Sequence, residues 1–252
     1  MAQLGLGLIG IGRPWPTDLH DVPSSMYVAG LLEQAVRVGV RFFDTAPAYG
    51  LSEARFGAVL RSELAGHRDE LTVATKCGET WDAGRGSHTD HSPAGLEASV
   101  EESVLRLGRI DVLQLHKATE EAVSDERVLD TLVRLAATHG IPALGVSAKD
   151  QATCEAALRT GVFSHIQCPV NPESPVSDWA RSRNSQVRVV GNRPYGSGQL
   201  LRGGGAVSEL LRHAIDSVGE NGIVLTGTTN ETHLEETAEV FRRQTVLKRE
   251  TS

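Results

Sequence analysis

Short apolar runs alternate with longer segments of mixed polarity along the whole chain. The runs are four to six residues long and rich in branched side chains, which fits strands buried on both faces of a parallel sheet. The sequence therefore predicts eight buried strands. They are Leu4–Ile9, Val40–Phe43, Leu71–Thr75, Ile110–Leu115, Ala143–Val146, His165–Cys168, Val187–Val190 and Gly222–Leu225.

The segments between and after these strands have apolar residues at helical spacing. In one of them Leu96, Val100 and Leu107 lie on a single stripe with Val104, which predicts an amphipathic helix. Each predicted strand is followed by one such segment. The predicted helices lie near Ser25–Val38, Ser52–Leu64, Ser92–Leu107, Asp125–Thr138, Asp150–Arg159, Ser177–Arg183, Ser208–Val218 and Thr229–Gln244.

Eight strand–helix units in 252 residues favour a closed (β/α)8 TIM barrel of the α/β class, with an open doubly wound sheet as the alternative. No Pro-rich or Ser-rich linker divides the chain, so we expect residues 1–252 to form a single barrel domain. The C-terminal ends of the strands build the active site in such barrels. The polar residues at those ends are therefore the first candidates for chemistry.

The composition of the chain argues against some classes of binding partner. The net charge of −7 argues against a nucleic acid or an anionic membrane. The three cysteines are odd in number and lack close paired spacing, which predicts reduced thiols in the cytoplasm. The apolar run Leu4–Ile11 is too short to cross a bilayer, and no targeting signal is visible. We expect a cytoplasmic protein whose partner is a small molecule.

The second predicted strand leads directly into polar residues. Asp44 follows the run Val40–Phe43, which is apolar except for Arg41, and it must reach solvent or a cation because an unpaired buried carboxylate is costly. Tyr49 follows a turn at Pro47 and lies just above the same strand end. Ser52 is predicted to be the N-cap of the next helix. This stretch presents a carboxylate and a phenol together.

Further polar residues stand at the ends of later strands. Each taken alone has a structural explanation, such as a capped turn, an extended lysine or a hydrogen-bonded histidine. Taken together they predict a shared site for proton transfer. They are Lys76 after the third strand, His116 after the fourth, Ser147 after the fifth, Gln167 within the sixth and Asn192 after the seventh. His88 and His91 lie three residues apart, but without a further nearby ligand we predict no metal site.

Several segments resemble the aldo-keto reductase family in their order and spacing: DTAPAYGLSE, TVATKCG, RIDVLQLH, IPALGVS, IQCPVN and IVLTGTTNETHLEE. The resemblance implies that Tyr49 donates a proton, with Lys76 and Asp44 as its electrostatic partners. It implies that His116 orients a substrate carbonyl. The residue chemistry agrees, since a tyrosine with a pKa near 10 needs a nearby cation to favour its phenolate.

The resemblance also implies a nicotinamide cofactor. Ser147 and Gln167 match positions that hold the nicotinamide carboxamide. The other candidates are Asn192 at the place of a stacking aromatic residue, Arg193, Pro194, Gly196 and Ser197 beside the pyrophosphate, and Gly227, Thr228, Thr229, His233 and Glu236 beside the adenosine. His233 stands where many members have arginine. We expect NADPH, with NADH possible, and a preference for NADPH that grows as pH falls.

This chain departs from the family pattern in other places. Ser147-Ala148 replaces a Ser-Asn pair, which removes one carboxamide partner. The first strand begins almost at Met1, and we expect neither the N-terminal hairpin nor the C-terminal substrate loop of other members. The pocket would then be walled by the first loop, with Trp15, and the third loop, with Trp81.

We therefore expect an NAD(P)H-dependent oxidoreductase that reduces an aldehyde or a ketone to an alcohol. Two alternatives stay open. The first is a cofactor-binding sensor or accessory subunit with the same fold, and the second is a redox-neutral lyase or isomerase. The sequence leaves the substrate, the physiological direction and the oligomeric state open.

Overall fold

Eight parallel strands close into a barrel in the computed structural model, which describes residues 1–14 and 22–250, with side chains to 247. The first strand pairs with both the second and the last, with Gly5 opposite Phe42 and Leu4 opposite Val224. The predicted TIM barrel is confirmed. The barrel strands are Gln3–Gly7, Phe42–Asp44, Thr72–Cys77, Val112–Leu115, Ala143–Ser147, His165–Pro169, Arg188–Asn192 and Ile223–Thr226.

Helices flank the barrel and cover its strands. The stripe predicted on one of them is buried at Leu96, Val100 and Leu107. The α-helices are Ile9–Gly12, Ser25–Arg37, Ser52–Arg61, Pro93–Leu107, Glu120–Ser124, Glu126–His139, Gln151–Thr160, Val176–Arg183, Gln199–Arg202, Val207–Val218 and Glu231–Glu250. Short 3-10 segments span Pro47–Tyr49, Ala65–Glu70 and Gly196–Gly198.

Two apolar cores hold the fold together. The larger core lies between strands and helices, and the smaller one fills the barrel interior. The interior core contains Phe42, Ala74, Val112, Val190, Ile223 and Leu225. Because side chains alternate across a strand, the residues two positions after Phe42 and Ala74 point inward as well. Those residues are Asp44 and Lys76, at the C-terminal end of the barrel.

A hairpin interrupts the third loop, where the sequence predicted only a loop. Its strands, Glu79–Asp82 and Gly86–Thr89, pair in antiparallel register. The Asp82 carboxylate accepts hydrogen bonds from the backbone N–H groups of Gly84 and Arg85, which closes the turn. The first hairpin strand packs against Pro47–Tyr49. The hairpin therefore lies over the C-terminal end of the barrel.

The predicted N-cap at Ser52 is wrong. Leu51 is the N-cap residue, and Ser52 is the first residue of the helix. The Ser52 hydroxyl is fully buried, donates to the Leu8 carbonyl at 2.9 Å and lies 2.8 Å from the Thr45 hydroxyl. A capping residue keeps its hydroxyl for the next helical turn, whereas Ser52 uses its hydroxyl to join the helix to two strand ends.

Candidate active site

Backbone contacts fix the turn that carries Tyr49. The Tyr49 N–H donates to the Ala46 carbonyl at 2.9 Å, and Leu51 N–H donates to the Gly12 carbonyl at 3.1 Å. A Cβ at Gly12 would lie 1.9 Å from the Tyr49 carbonyl oxygen, so only glycine permits this approach. The first loop and the second strand end are thereby locked together beneath the phenol.

Asp44, Lys76 and Tyr49 form a continuous series of contacts. Lys76 Nζ lies 2.6 Å from Asp44 Oδ2, 3.1 Å from the Tyr49 hydroxyl and 3.0 Å from the Thr45 carbonyl. Gln114 Nε2 donates to Asp44 Oδ1 at 2.9 Å. Lys76 and Gln114 are fully buried. The buried ammonium is thus surrounded by three oxygen atoms, as a charged group without solvent requires.

The charges of this cluster follow from its contacts. Burial alone would lower the pKa of Lys76, but Asp44 and Tyr49 outweigh it and raise that pKa. Desolvation raises the pKa of Tyr49 although Lys76 pulls it down. The resting pair is therefore a charged lysine and a protonated phenol. The cation expected to favour the phenolate is present, and burial outweighs it.

His116 lies beside the phenol and contacts an acid that the sequence reasoning missed. The rings of Tyr49 and His116 meet edge to face, with centroids 5.9 Å apart. His116 Nδ1 lies 2.9 Å from Glu79 Oε2, and Lys117 Nζ lies 2.7 Å from Glu79 Oε1. Burial lowers the pKa of His116 even though Glu79 opposes this. The pKa of Glu79 falls to about 2, because the close contacts with His116 and Lys117 and a hydrogen bond from Ser87 outweigh its burial.

Polar atoms without partners line the next strand ends. Ser147 Oγ donates to Gln167 Oε1 at 3.0 Å. Among the described residues, the buried Gln167 Nε2 and Asn192 Oδ1 have no hydrogen-bond partner. A buried amide left unpaired is costly, and a carboxamide ligand offers both the acceptor and the donor that these two atoms require. These residues therefore fit a nicotinamide carboxamide.

The loop after the seventh strand has an unusual backbone. Arg193 and Ser197 have positive φ angles of 51° and 57°, which cost energy for residues other than glycine. Gly196 also has a positive φ, and the Arg193 carbonyl accepts from Asn171 Nδ2 at 3.0 Å. Pro194 is buried in this loop. The Gly196 and Gly198 N–H groups donate to the Arg193 and Tyr195 carbonyls at 2.9 Å, so the loop's own backbone holds this turn.

The loop after the eighth strand leads into the last helix. The Thr228 hydroxyl accepts from the Asn230 N–H at 3.0 Å, and the Thr229 carbonyl accepts from the Tyr27 hydroxyl at 3.0 Å. His233 and Glu236 are exposed on the first turns of the helix, and Gly227 begins the loop. The eighth strand pairs with the seventh, so this loop adjoins the previous one.

Two tryptophans, Trp15 and Trp81, are expected to wall the substrate pocket. Trp15 lies outside the described residues. Trp81 lies on the first hairpin strand, and the Arg13 guanidinium stands over its ring at 5.1 Å from the centroid. The hairpin strand packs against the Tyr49 turn, so the strand that carries this ring borders the candidate site.

Two residues of the cluster were missed by the sequence reasoning. Gln114 could have been found from strand alternation, because it lies two residues before His116 and shares its inward face. Glu79 had a weaker signal, an acidic residue three positions after Lys76 on the same side of the barrel.

The residues that the structure describes contain neither a group of metal ligands nor a membrane-spanning helix. No group of three histidine, cysteine or acidic residues there could hold a metal ion. His91 instead contacts the His116 carbonyl through Nε2 at 2.8 Å. None of the described helices is long and apolar enough to cross a membrane.

Comparisons with known proteins show the family to which the chain is similar. Residues 3–202 match the family described as the Aldo/keto reductase family. A D-threo-aldose 1-dehydrogenase from a Pseudomonas species is 36% identical in an alignment of 138 residues that covers 46% of this chain and 41% of that protein. A 6-dehydroglucose reductase from Agrobacterium fabrum is 28% identical over 208 residues, covering 75% of this chain and 69% of that protein.

A solved structure extends the likeness to nearly the whole chain. A Pseudomonas aeruginosa protein assigned to the aldo-keto reductases superimposes with a TM-score of 0.77 at 27% identity, covering 96% of this chain and 89% of that one. The sequence alignments cover less than this structural superposition does. A Bacillus subtilis oxidoreductase, for example, is 30% identical over 131 residues, and the alignment covers 39% of that protein.

Proposed function

The chain belongs to the aldo-keto reductase family, and we propose that it reduces an aldehyde or a ketone to an alcohol with NADPH or NADH. One observation carries the proposal: the contacts from Asp44 through Lys76 to the Tyr49 phenol, with His116 beside the phenol. Carbonyl reduction requires a general acid and a hydrogen bond to the carbonyl oxygen. A phenol held by a buried cation can supply the first, and the neighbouring ring can supply the second.

Tyr49 is the proton donor in this proposal. When bound, the nicotinamide supplies a hydride to the carbonyl carbon. Tyr49 gives its phenolic proton to the carbonyl oxygen, and the phenolate that results is stabilised by Lys76 at 3.1 Å. Asp44 keeps the lysine charged, and solvent returns the proton to the phenol. His116 holds the substrate oxygen beside Tyr49.

The residues proposed to hold the cofactor follow the last four strand ends. Ser147, Gln167 and Asn192 would hold the carboxamide, a role supported by the unpaired amide atoms. Arg193, Pro194, Gly196 and Ser197 would lie along the pyrophosphate. Gly227, Thr228, Thr229, His233 and Glu236 would surround the adenosine half.

The relatives suggest which carbonyl compounds to test first. Two of them carry names that refer to an aldose and to an oxidised glucose, so we propose polyhydroxylated aldehydes and ketones as the substrate class. Trp81 is the proposed wall of the pocket, because it is attached to the hairpin above Tyr49. Trp81→Ala is expected to change the Michaelis constant more for bulky carbonyls than for small ones.

The experiment is a turnover assay with NADPH and NADH on a panel of aldoses, ketoses and simple aldehydes, together with cofactor binding measured by fluorescence. Cofactor oxidation that depends on the carbonyl is the expected result. A chain that binds either cofactor tightly and oxidises it with no carbonyl of the panel would be a sensor or accessory subunit. Product formation without cofactor would instead indicate a redox-neutral lyase or isomerase.

A further inference from the structure

Glu79 occupies an unusual position for a carboxylate. It is 3% exposed, and each of its two oxygens contacts a cation or a ring nitrogen within 3 Å. Oε2 lies 2.9 Å from His116 Nδ1, and Oε1 lies 2.7 Å from Lys117 Nζ. His116 Nδ1 makes no well-aligned hydrogen bond among the described residues, so its approach to Oε2 is a close ionic contact.

The pairing decides which nitrogen of His116 carries a proton. A neutral imidazole has one N–H and one bare nitrogen, and the partner of one nitrogen sets the state of the other. An ionised carboxylate can only accept, and it repels a bare nitrogen 2.9 Å away, so the contact favours the hydrogen on Nδ1. Nε2 is then bare in the neutral ring and becomes a donor only when the ring is doubly protonated.

We propose that Glu79 is a positioning residue that holds the proton of neutral His116 on Nδ1, so that His116 donates a hydrogen bond to a substrate carbonyl only as the imidazolium. This inference rests on the proposed function for its catalytic consequence. The tautomer itself does not depend on that function.

The consequence is that the ligand which His116 favours, carbonyl or alcohol, changes with pH. The imidazolium donates from Nε2 to a carbonyl oxygen, which favours reduction at lower pH. The neutral ring offers Nε2 as an acceptor for an alcohol O–H, which favours the alcohol-bound state at higher pH. The carboxylate of Glu79 stays ionised throughout, because Lys117 and Ser87 also hydrogen-bond to it.

Other charged groups around His116 shift the pH at which its ring titrates. They do not decide which ring nitrogen carries the proton of the neutral form. The groups that face it are Glu79 from the hairpin, Lys76 from the third strand, Asp44 from the second strand, Tyr49 from the 3-10 turn, His91 at its carbonyl and Lys117 next to it in the chain. Lys76 and Asp44 form a pair of opposite charges and partly cancel at His116. Glu79 is the acid whose oxygen lies at a ring nitrogen.

The first test reads the tautomer without turnover. Nitrogen-15 labelled histidine allows two-bond correlation spectra to distinguish Nδ1–H from Nε2–H, and His116→Asn identifies the His116 signal among the nine histidines. We expect the neutral ring of wild type to carry its proton on Nδ1, and Glu79→Gln to increase the Nε2–H form, because an amide can donate to Nδ1. A wild-type ring with its proton on Nε2 overturns the proposal, as does an unchanged ring in Glu79→Gln.

The second test is the pH profile of kcat/KM for reduction. In wild type it should fall about tenfold per pH unit above the titration of His116, at a pH well below the loss of the Tyr49 proton. Glu79→Gln should remove this fall, whereas Asp82→Asn, which removes the same charge from the same hairpin strand, should keep it. A wild-type profile that is flat in this range overturns the proposal. If no carbonyl turns over, the proposed function fails, and the tautomer measurement still decides the role of Glu79.

Discussion

Two buried carboxylates lie on opposite sides of the third strand, and only one of them is part of the candidate site. Thr75 points outward and donates to Glu53 Oε1 at 2.6 Å, whereas the next residue, Lys76, points inward and contacts Asp44 at 2.6 Å. Each acid is nearly or fully inaccessible to solvent and each is paired with a cation. Strand alternation alone separates them.

The two clusters differ in where their contacts end. Glu53 is held by Thr75 and Ser103, and by Arg106 at 3.1 Å, all fixed by the fold. The contacts of Asp44 continue through Lys76 to a phenol, a group that can lose and regain a proton. The first cluster is therefore closed and structural, and the second is open toward the strand ends. Of these two buried ion pairs, the Asp44 pair is therefore the candidate for chemistry, because its contacts lead to a proton that can be transferred.

Removing that proton should give the largest effect. Tyr49→Phe should lower kcat for carbonyl reduction about a thousandfold, within the range found for loss of a general acid. The free energy of unfolding and the cofactor dissociation constant should change little, because the hydroxyl contacts only Lys76 among the described residues. Steady-state kinetics and cofactor titration are the measurements. A variant that keeps most of its turnover would show that the Asp44 cluster is structural as well.

The closed cluster should respond in the opposite way. Glu53→Ala leaves the buried Thr75 and Ser103 hydroxyls without their acceptor and opens a cavity, at a cost of about 3 kcal/mol in the free energy of unfolding. The folded variant should keep its kcat. Glu102→Ala is the matched control, because Glu102 contacts the same Arg106 from the surface, and its removal should cost about 0.3 kcal/mol. Urea unfolding of both variants is the measurement, and equal costs would refute the contrast.

Much of the barrel could be predicted because its signals are local. Apolar runs identify strands, and the family segments carry Asp44, Tyr49, Lys76 and His116 to one end of the barrel. The hairpin was missed because residues 79–89 are mostly polar and largely exposed, so no buried face repeats along them. Its contact with the Tyr49 turn is tertiary.

The errors within the site have the same cause. Ser52 has the residue type and place of an N-cap, yet its hydroxyl bonds to Leu8, a residue 44 positions earlier in the chain. Glu79 and His116 lie on different elements, and nothing local to either predicts that they meet. Strand ends could be enumerated from sequence, while partners across the barrel mouth required the fold.

A further buried polar group, His165 in the barrel interior, forms no ion pair with an acid among the described residues. His165 is 8% exposed, its Nδ1 lies 2.9 Å from the Ser164 hydroxyl, and its Nε2 has no partner among the described residues. Burial and the charge of Arg188 lower its pKa to about 4. Lys76 keeps its charge through Asp44, whereas His165 gives up its charge.

The sign of the resulting pH dependence follows from linkage. The unfolded state binds a proton at His165 near pH 6.5 and the folded state only near pH 4, so stability should decrease as pH falls from 6.5 to 4 and then level off. The loss from this group is about 3 kcal/mol at most. Urea unfolding between pH 7 and 4 should show a smaller decrease in His165→Asn than in wild type. The exposed His67→Gln should behave as wild type, and an equal decrease in all three proteins would contradict the assignment.

The smallest effect concerns His233, an exposed histidine that would meet the phosphate only with NADPH bound. His233 is exposed at the start of the last helix, and its backbone N–H donates to Asn230 Oδ1 at 3.1 Å. The 2′-phosphate of NADPH is a dianion near neutrality, and a helix N-terminus already favours anions. An uncharged imidazole can give the phosphate one neutral hydrogen bond, whereas the imidazolium gives a charge-assisted one, a difference of about 1 kcal/mol or several-fold in affinity.

NADPH should therefore bind several-fold more tightly at pH 6 than at pH 8, while NADH, which lacks the phosphate, should not respond to this group. Dissociation constants of both cofactors for wild type and His233→Gln across this range are the measurement. An NADPH to NADH ratio that is flat in wild type, or that varies as much in His233→Gln, would assign the phosphate to another group.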